Sequence, residues 1–270
     1  MNYLEDHGQS VGRGVGDITI LLKDCLEDPD EALSFREKSV LVWDVCDDHF
    51  DTDRRDYYLK MCLMAHHVTC SSPVLAARIL KETGIKAKVI SDPVEYERKP
   101  PAVRGPLNVL WYGHHSNMQA LYDIGSRMKG YRVRGISSDV IKEPWVRKWS
   151  HPAMQYGLEW CDAVIIPIGT PTESQPAKEA KSPNRMTEAI NAGRFVIAND
   201  MPAYRDFGMY LGDIVEGLEW MKKNPEECFS RLKKAQTLVT EKHSPSVIGF
   251  QWMDYLNSIW VAETSIGRVS

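Results

Sequence analysis

Residues 180–207 read AKSPNRMTEAINAGRFVIANDMPAYRDF, and the local chemistry of this stretch decides how the rest of the chain is read. Ser182 is an expected N-cap, with Pro183 at the first helical position, where its missing N–H costs nothing, and Gly193 closing the helix. A helix over Pro183–Ala192 then feeds a β-rich run, Arg194–Ala198, which makes one turn of a βα alternation. Such a helix opens with free backbone N–H groups and the positive end of its dipole, so Lys181 and Arg185 beside it define an anion site. Glu188 follows about a turn and a half further in, an acceptor-only carboxylate spaced to take bonds from sugar hydroxyls. Phosphate plus vicinal diol describes a nucleotide, with Ser182, Asn184 and Arg185 around the phosphate. The same pattern also fits a capped core helix whose charged residues face water.

Working outward, the alternation continues in both directions. Upstream in this half lie strand candidates Leu107–Tyr112, Arg132–Ile136 and Ala163–Ile168, with helices expected from Asn117 to about Met128 and near 153–161. In the first half, Asp17–Leu22, Ser39–Val45, His66–Ser71 and Ala87–Ser91 read as strands. Helices fall near 29–37, 53–64 and 73–83, the last closed by Gly84. Between the halves, DPVEYERKPPAVRGP at 92–106 has four prolines and no apolar period, which marks a stiff linker. The expected architecture is α/β, two Rossmann-like domains facing a cleft, the N-terminal one reduced. The boundaries are residues 1–95 for the N-terminal domain, 96–106 for the linker and 107–245 for the second domain, which carries the nucleotide motif. A helical tail over 246–270 would cover the joint, with Trp220, Phe229, Leu232, Phe250, Trp252 and Trp260 available for it.

Composition bounds the function. The chain has 270 residues, 43% hydrophobic and 26% charged, with formal charge −4, which excludes disorder and a whole-molecule attraction to nucleic acid or anionic membrane. Charge is uneven: residues 1–100 hold 13 Lys/Arg against 19 Asp/Glu, and the remainder 20 against 18. Six cysteines without a C-x-x-C pair read as reduced thiols. The polar, acidic start lacks the features of a signal peptide and no apolar run has the length of a membrane span, so a cytoplasmic protein is expected.

Two further clusters carry chemistry. Gly113, His114, His115, Ser116 and Asn117 follow a strand, and Ser116 with Gln119 has the spacing of a capping box, giving a second anion-binding helix start. Adjacent histidines diverge and no third ligand is suitably spaced, so no metal is expected there. In VWDVCDDHF, residues 42–50, a strand runs into Asp47, Asp48 and His49, candidates for a general base. They also fit a loop of solvated acids capping the next helix. Arg54 and Arg55 follow, to pair with those acids or to contact an anionic acceptor.

The stretch E-A-I-N-A-G-R-F-V-I-A-N-D, with PLNVLWYGHHSN and WCDAVIIPIG upstream, resembles the C-terminal domain of GT-B glycosyltransferases of the group 1, family 4 type, over about residues 85–260. The resemblance implies a nucleoside-diphosphate-sugar donor, UDP- or GDP-linked, held by Gly113, His114, Asn117, Lys181, Ser182, Asn184 and Arg185, with Glu188 on ribose. It implies a metal-independent hexosyl transfer to a hydroxyl acceptor, with no other cofactor. Retaining members carry a second glutamate where this chain has Ala180; Glu179 and Glu173 are out of step, so inversion is favoured, with Asp48 ahead of His49 and Asp47 as base. GRGVGD at 12–17 precedes the strand it would need to follow. The acceptor stays open between a glycan and a polymer such as hydroxymethylated DNA. A nucleotide-sugar epimerase or a non-catalytic nucleotide-sugar-binding module are the alternatives.

Overall fold

The computed structural model describes residues 17–22, 26–139, 143–168 and 175–267. Most of the GRGVGD turn, Cys25 and Glu173 lie outside them. The chain forms two compact units: residues 1–93 with 174–182 and 245–270, and residues 94–173 with 183–244.

In the first unit, strands β1 (Ile18–Leu22), β2 (Val40–Val45), β3 (His67–Cys70) and β4 (Lys88–Val89) alternate with helices α1 (Ala32–Arg36), α2 (Arg55–Met64) and α3 (Pro73–Thr83). The four strands are parallel and lie in sequence order. Right-handed crossovers that all step the same way put every connecting helix on one face. The side chains obey this. Leu41, Trp43 and Val45 point to Tyr58, Met61, Leu75 and Ile79, while Val40 and Val42 point to the other face. Local chemistry sets the ends of α3: the Ser72 hydroxyl accepts from the Leu75 amide at 3.2 Å, and Gly84 closes the helix at φ 74°.

The second unit holds β5 (Asn108–Gly113), α4 (Met118–Gly125), β6 (Arg132–Ser137), β7 (Val146–Lys148), α5 (His151–Trp160) and β8 (Ala163–Ile166). After a short helix α6 (Gln175–Glu179), which groups with the first unit, come α7 (Asn184–Asn191), β9 (Phe195–Ala198), β10 (Tyr210–Leu211), α8 (Ile214–Lys223) and α9 (Pro225–His243). All six strands are parallel, in the order β10-β9-β8-β5-β6-β7. The chain winds outward from β5 one way and from β8 the other, so the topological switch point lies between these two strands. In open α/β sheets that is where ligands bind, beyond the carboxyl ends.

Residues 94–106 contain no helix or strand, as the prolines require, yet they are not a free connector. The Val94, Lys99 and Ala102 amides donate to the His243, Asn191 and Gly193 carbonyls, each at 2.9 Å. Gln236 Nε2 donates to the Lys99 carbonyl at 2.8 Å, and Asn191 Nδ2 to the Tyr96 carbonyl at 2.6 Å. The segment is a strap that satisfies helix ends of the second unit. Gly193 is required twice, by its φ of 74° and because a Cβ there would sit 2.2 Å from the Pro100 carbonyl oxygen.

The last helix, α10 (Pro245–Ser265), returns to the first unit. Ile259 and Tyr255 cover Val40 and Val42, and Glu263 meets His67 Nε2 at 3.0 Å. Of the aromatics expected along the tail, Trp220 packs on Phe195 and Tyr210 in the second unit, whereas Phe229 and Phe250 are exposed. No helix among the described residues is long and apolar enough to cross a membrane.

Candidate functional site

The switch point of the second unit brings together residues that are 72 positions apart, Gly113 and Arg185. Gly113 ends β5, and Arg185 stands in the first turn of α7 with Nη1 3.3 Å from where a Cβ on Gly113 would lie. Absence of a side chain at 113 is what lets the guanidinium approach the strand end. Arg185 Nη1 reaches the Tyr112 carbonyl at 3.5 Å rather than a carboxylate. Its charge is thus held in place by backbone and left available to an anion.

Tyr112 fixes this arrangement. Its hydroxyl donates to the Arg185 carbonyl at 2.5 Å, tying the opening of α7 to β5. Burial pushes the phenol well above its ordinary pKa, and the nearby Glu188 charge adds to this, so it acts as a neutral donor. Nothing in the sequence marked Tyr112, since an aromatic at a strand end reads as core.

Helix α7 starts one residue later than expected. Pro183, with ψ near 8°, is its N-cap, there is no side-chain cap bond, and the Pro183 carbonyl accepts from the Met186 and Thr187 amides. The cap expected from Ser182 is therefore replaced by proline backbone. Lys181 and Ser182 group with the first unit, where Ala180 is buried and its carbonyl accepts from the Ser72 hydroxyl at 2.7 Å. Asn184, Arg185 and Glu188 belong to the second unit.

Glu188 is held differently from the expectation of a carboxylate waiting for ligand. Oε1 accepts from the Glu95 amide at 2.5 Å, so the strap rests on it. Oε2 is buried with no hydrogen-bond partner among the described residues. Burial raises the pKa to about 7, against the lowering effect of the neighbouring Glu95 and Tyr96 amides.

The turn after β5 also departs from its expected cap. His114 Nδ1 accepts from the Ser116 amide at 3.4 Å and faces the Ser116 hydroxyl at 2.9 Å, so the histidine caps a single 3-10 turn, His115–Asn117. Gln119 bonds to Asp123 instead, and α4 begins at Met118 after Asn117, which makes no side-chain cap. The capping box of Ser116 and Gln119 does not form because the histidine ring takes the cap a turn earlier. His115 stacks on His114 with ring centroids 4.1 Å apart, and its amide donates to Ser138 Oγ at 3.2 Å. Gly113, His114 and Arg185 thus line one strand end.

The acidic loop of the first unit is engaged from within. Asp48, the first choice as base, is 6% exposed. Oδ1 accepts from the Phe50 amide at 3.0 Å, and Oδ2 forms an ion pair with Arg78 Nε at 3.4 Å without hydrogen-bond geometry. Arg78 also holds Asp51 at 2.5 Å and Glu82 at 3.0 Å. Burial raises the Asp48 pKa, opposed by the Phe50 amide and then by Arg78. His49 is half-buried with its ring edge-on to Tyr58 at 5.0 Å, and Asp47 is half-buried. Arg55 pairs with Glu82 at 2.8 Å, and Arg54 lies over the Tyr57 ring at 5.2 Å. The cation that pairs with Asp48 is Arg78 of α3, a residue with no motif in the sequence to mark it.

With the geometry in place, the fold has clear relatives among solved structures. A point mutant of S. aureus TarM, in complex with fondaparinux, alpha-GlcNAc-glycerol and UDP, superposes at TM-score 0.64 with 16% identity, over 94% of this chain and 57% of that one. Anabaena HepE in complex with UDP-glucose superposes at 0.59 with 13% identity, over 90% and 79%. The fold is GT-B. The GT-B catalytic domain of Arabidopsis thaliana starch synthase IV, bound to ADP and acarbose, matches at 0.57 with 11% identity, over 93% and 73%. This chain therefore spans little more than half the length of TarM. No protein-family model and no curated protein matches the sequence.

Proposed function

We propose that this chain is a glycosyltransferase that moves a sugar from a UDP- or GDP-linked donor to a hydroxyl acceptor. The observation that supports it best is the Arg185 guanidinium held over Gly113 at the switch point, in a fold whose solved relatives hold UDP, UDP-glucose or ADP. Negative charge grows on the diphosphate as the bond to the sugar breaks. Arg185 and the opening amides of α7 are the groups that would stabilise it. Glu188 Oε2, buried without a partner, is the acceptor left for a ribose hydroxyl. His114 adds a hydrogen bond to phosphate from the turn after β5.

A glutamate at 180 would be needed for the retaining pair, and the chain has Ala180 there, so the reading is inversion with a base that deprotonates the acceptor. Asp48 is engaged with Phe50 and Arg78, which moves the assignment to His49. The test is a thermal-shift panel of UDP, GDP and their sugars on the wild-type protein and on Arg185→Ala. A diphosphate that raises Tm in the wild type and not in the variant is expected. No shift with any member, or equal shifts in both proteins, overturns the donor site.

A further inference from the structure

The outer edge of the second unit carries a surface that the donor site does not use. Strand β7 is the edge strand there, and between Glu143 and Glu159 the run PWVRKWSHPAMQYGL at 144–158 contains no acidic residue. Arg134 on β6 lies over Trp160 at 4.0 Å and over Tyr156 at 4.9 Å, and Arg147 on β7 lies over the same Tyr156 ring at 5.4 Å. Cation and ring thus alternate between α5 and the last two strands, Trp160, Arg134, Tyr156, Arg147. At the carboxyl end Lys148 is exposed, and the exposed Trp149 stands against His151 at 4.9 Å. The Trp149 backbone is anchored to the sheet, because its amide donates to the Ser137 carbonyl at 2.6 Å.

Blunting an edge strand against pairing calls for charge. It does not call for a tryptophan 45% exposed and a tyrosine 48% exposed beside those charges. Trp149, whose ring is met by His151 edge-on and carries no cation over its face in these contacts, is the ring on which a base of a single-stranded nucleic acid would stack, and the backbone phosphates would meet Arg147 and Lys148 beside it. A formal charge of −4 gives the molecule as a whole no such attraction, so the property belongs to this edge.

We propose that the β7 edge, through Arg147, Lys148, Trp149 and Tyr156, binds single-stranded nucleic acid without sequence preference. Lys148 lies level with Gly113 two strands away, across Ser137, so the Arg185→Ala variant is what separates this surface from the proposed donor site. The experiment is fluorescence anisotropy of a labelled mixed-sequence DNA strand of about 20 nucleotides, titrated at several salt concentrations. Salt-sensitive binding is expected. The double change Arg147→Glu with Lys148→Glu should weaken it at least tenfold and lower the salt slope by about 1.4, at about 0.7 per phosphate contact. Trp149→Ala should weaken it about 5- to 100-fold through lost stacking. Lys148→Glu alone, at an exposed position, serves if the double variant does not fold. Arg185→Ala should bind the strand as the wild type does.

No binding at low salt overturns the proposal, as does wild-type affinity in the folded edge variants. Loss in Arg185→Ala would move the strand to the donor site. A sulfated glycan that binds this edge while the DNA strand does not would replace nucleic acid by another polyanion, and that too overturns it.

Discussion

The two units share one βα rhythm and differ in what becomes of the charges at their strand ends. After β2, Asp48 and Asp51 are gathered by Arg78 from α3, so the charges are neutralised within the unit that carries them. After β5, Arg185 reaches a glycine and a backbone carbonyl, and its charge stays available. A cluster of ionisable residues at a strand end therefore signals chemistry only where the neighbouring helix does not supply the counter-charge. In the first unit that reasoning leaves His49, whose neighbour is the Tyr58 ring.

The comparison breaks most visibly at His49. If the imidazole takes the acceptor proton, His49→Ala lowers the transfer rate by about 10²–10⁴ and leaves donor affinity unchanged. Full transfer by this variant in a steady-state assay would leave the first unit without a base in its acidic loop. Next in size is Arg78→Ala, which strips Asp48 and Asp51 of their cation and should destabilise the protein by about 3–5 kcal/mol in chemical denaturation. A loss below 1 kcal/mol, measured the same way, would mean that the acids are held by other contacts.

Glu188 sharpens the contrast through pH. Its folded pKa of about 7 lies above the 4.5 of an ordinary glutamate, so the folded state binds the proton more tightly. Its contribution to stability is full below pH 4.5 and is lost as pH rises through about 7, a change on the order of 3 kcal/mol. Denaturation midpoints between these two pH values should fall in the wild type, and in Glu188→Gln this component should vanish. An identical slope in both would remove the strap contact as its source.

Smaller effects are expected at the proposed donor site. Arg185→Ala should weaken UDP by about 1.5–3 kcal/mol and uridine hardly at all, as calorimetry can compare. Equal losses would make Arg185 a structural residue. Gly113→Ala puts a methyl 3.3 Å from Arg185 Nη1 and 3.4 Å from the Trp111 ring. Displacing the guanidinium from its rotamer costs about 0.5–1.5 kcal/mol, which should appear as a several-fold loss of UDP affinity with the fold intact.

The sequence alone determined what depends on neighbours along the chain. Apolar runs placed β2, β3, β5, β8 and β9 to within a residue or two, and Pro73 with Gly84 bounded α3, because strand period and caps are local properties. Gly113 at a strand end and Arg185 in the first turn of a helix are legible for the same reason. Only the tertiary structure decided which distant groups would meet. It set the strap along α7 and α9, returned α10 to the first sheet, moved the helix cap from Ser182 to Pro183, and joined Arg78 to Asp48. Edge strand β7 escaped notice because three residues leave too short a pattern to read. Each of these outcomes rests on packing between residues tens of positions apart, and a single sequence carries no measure of that distance.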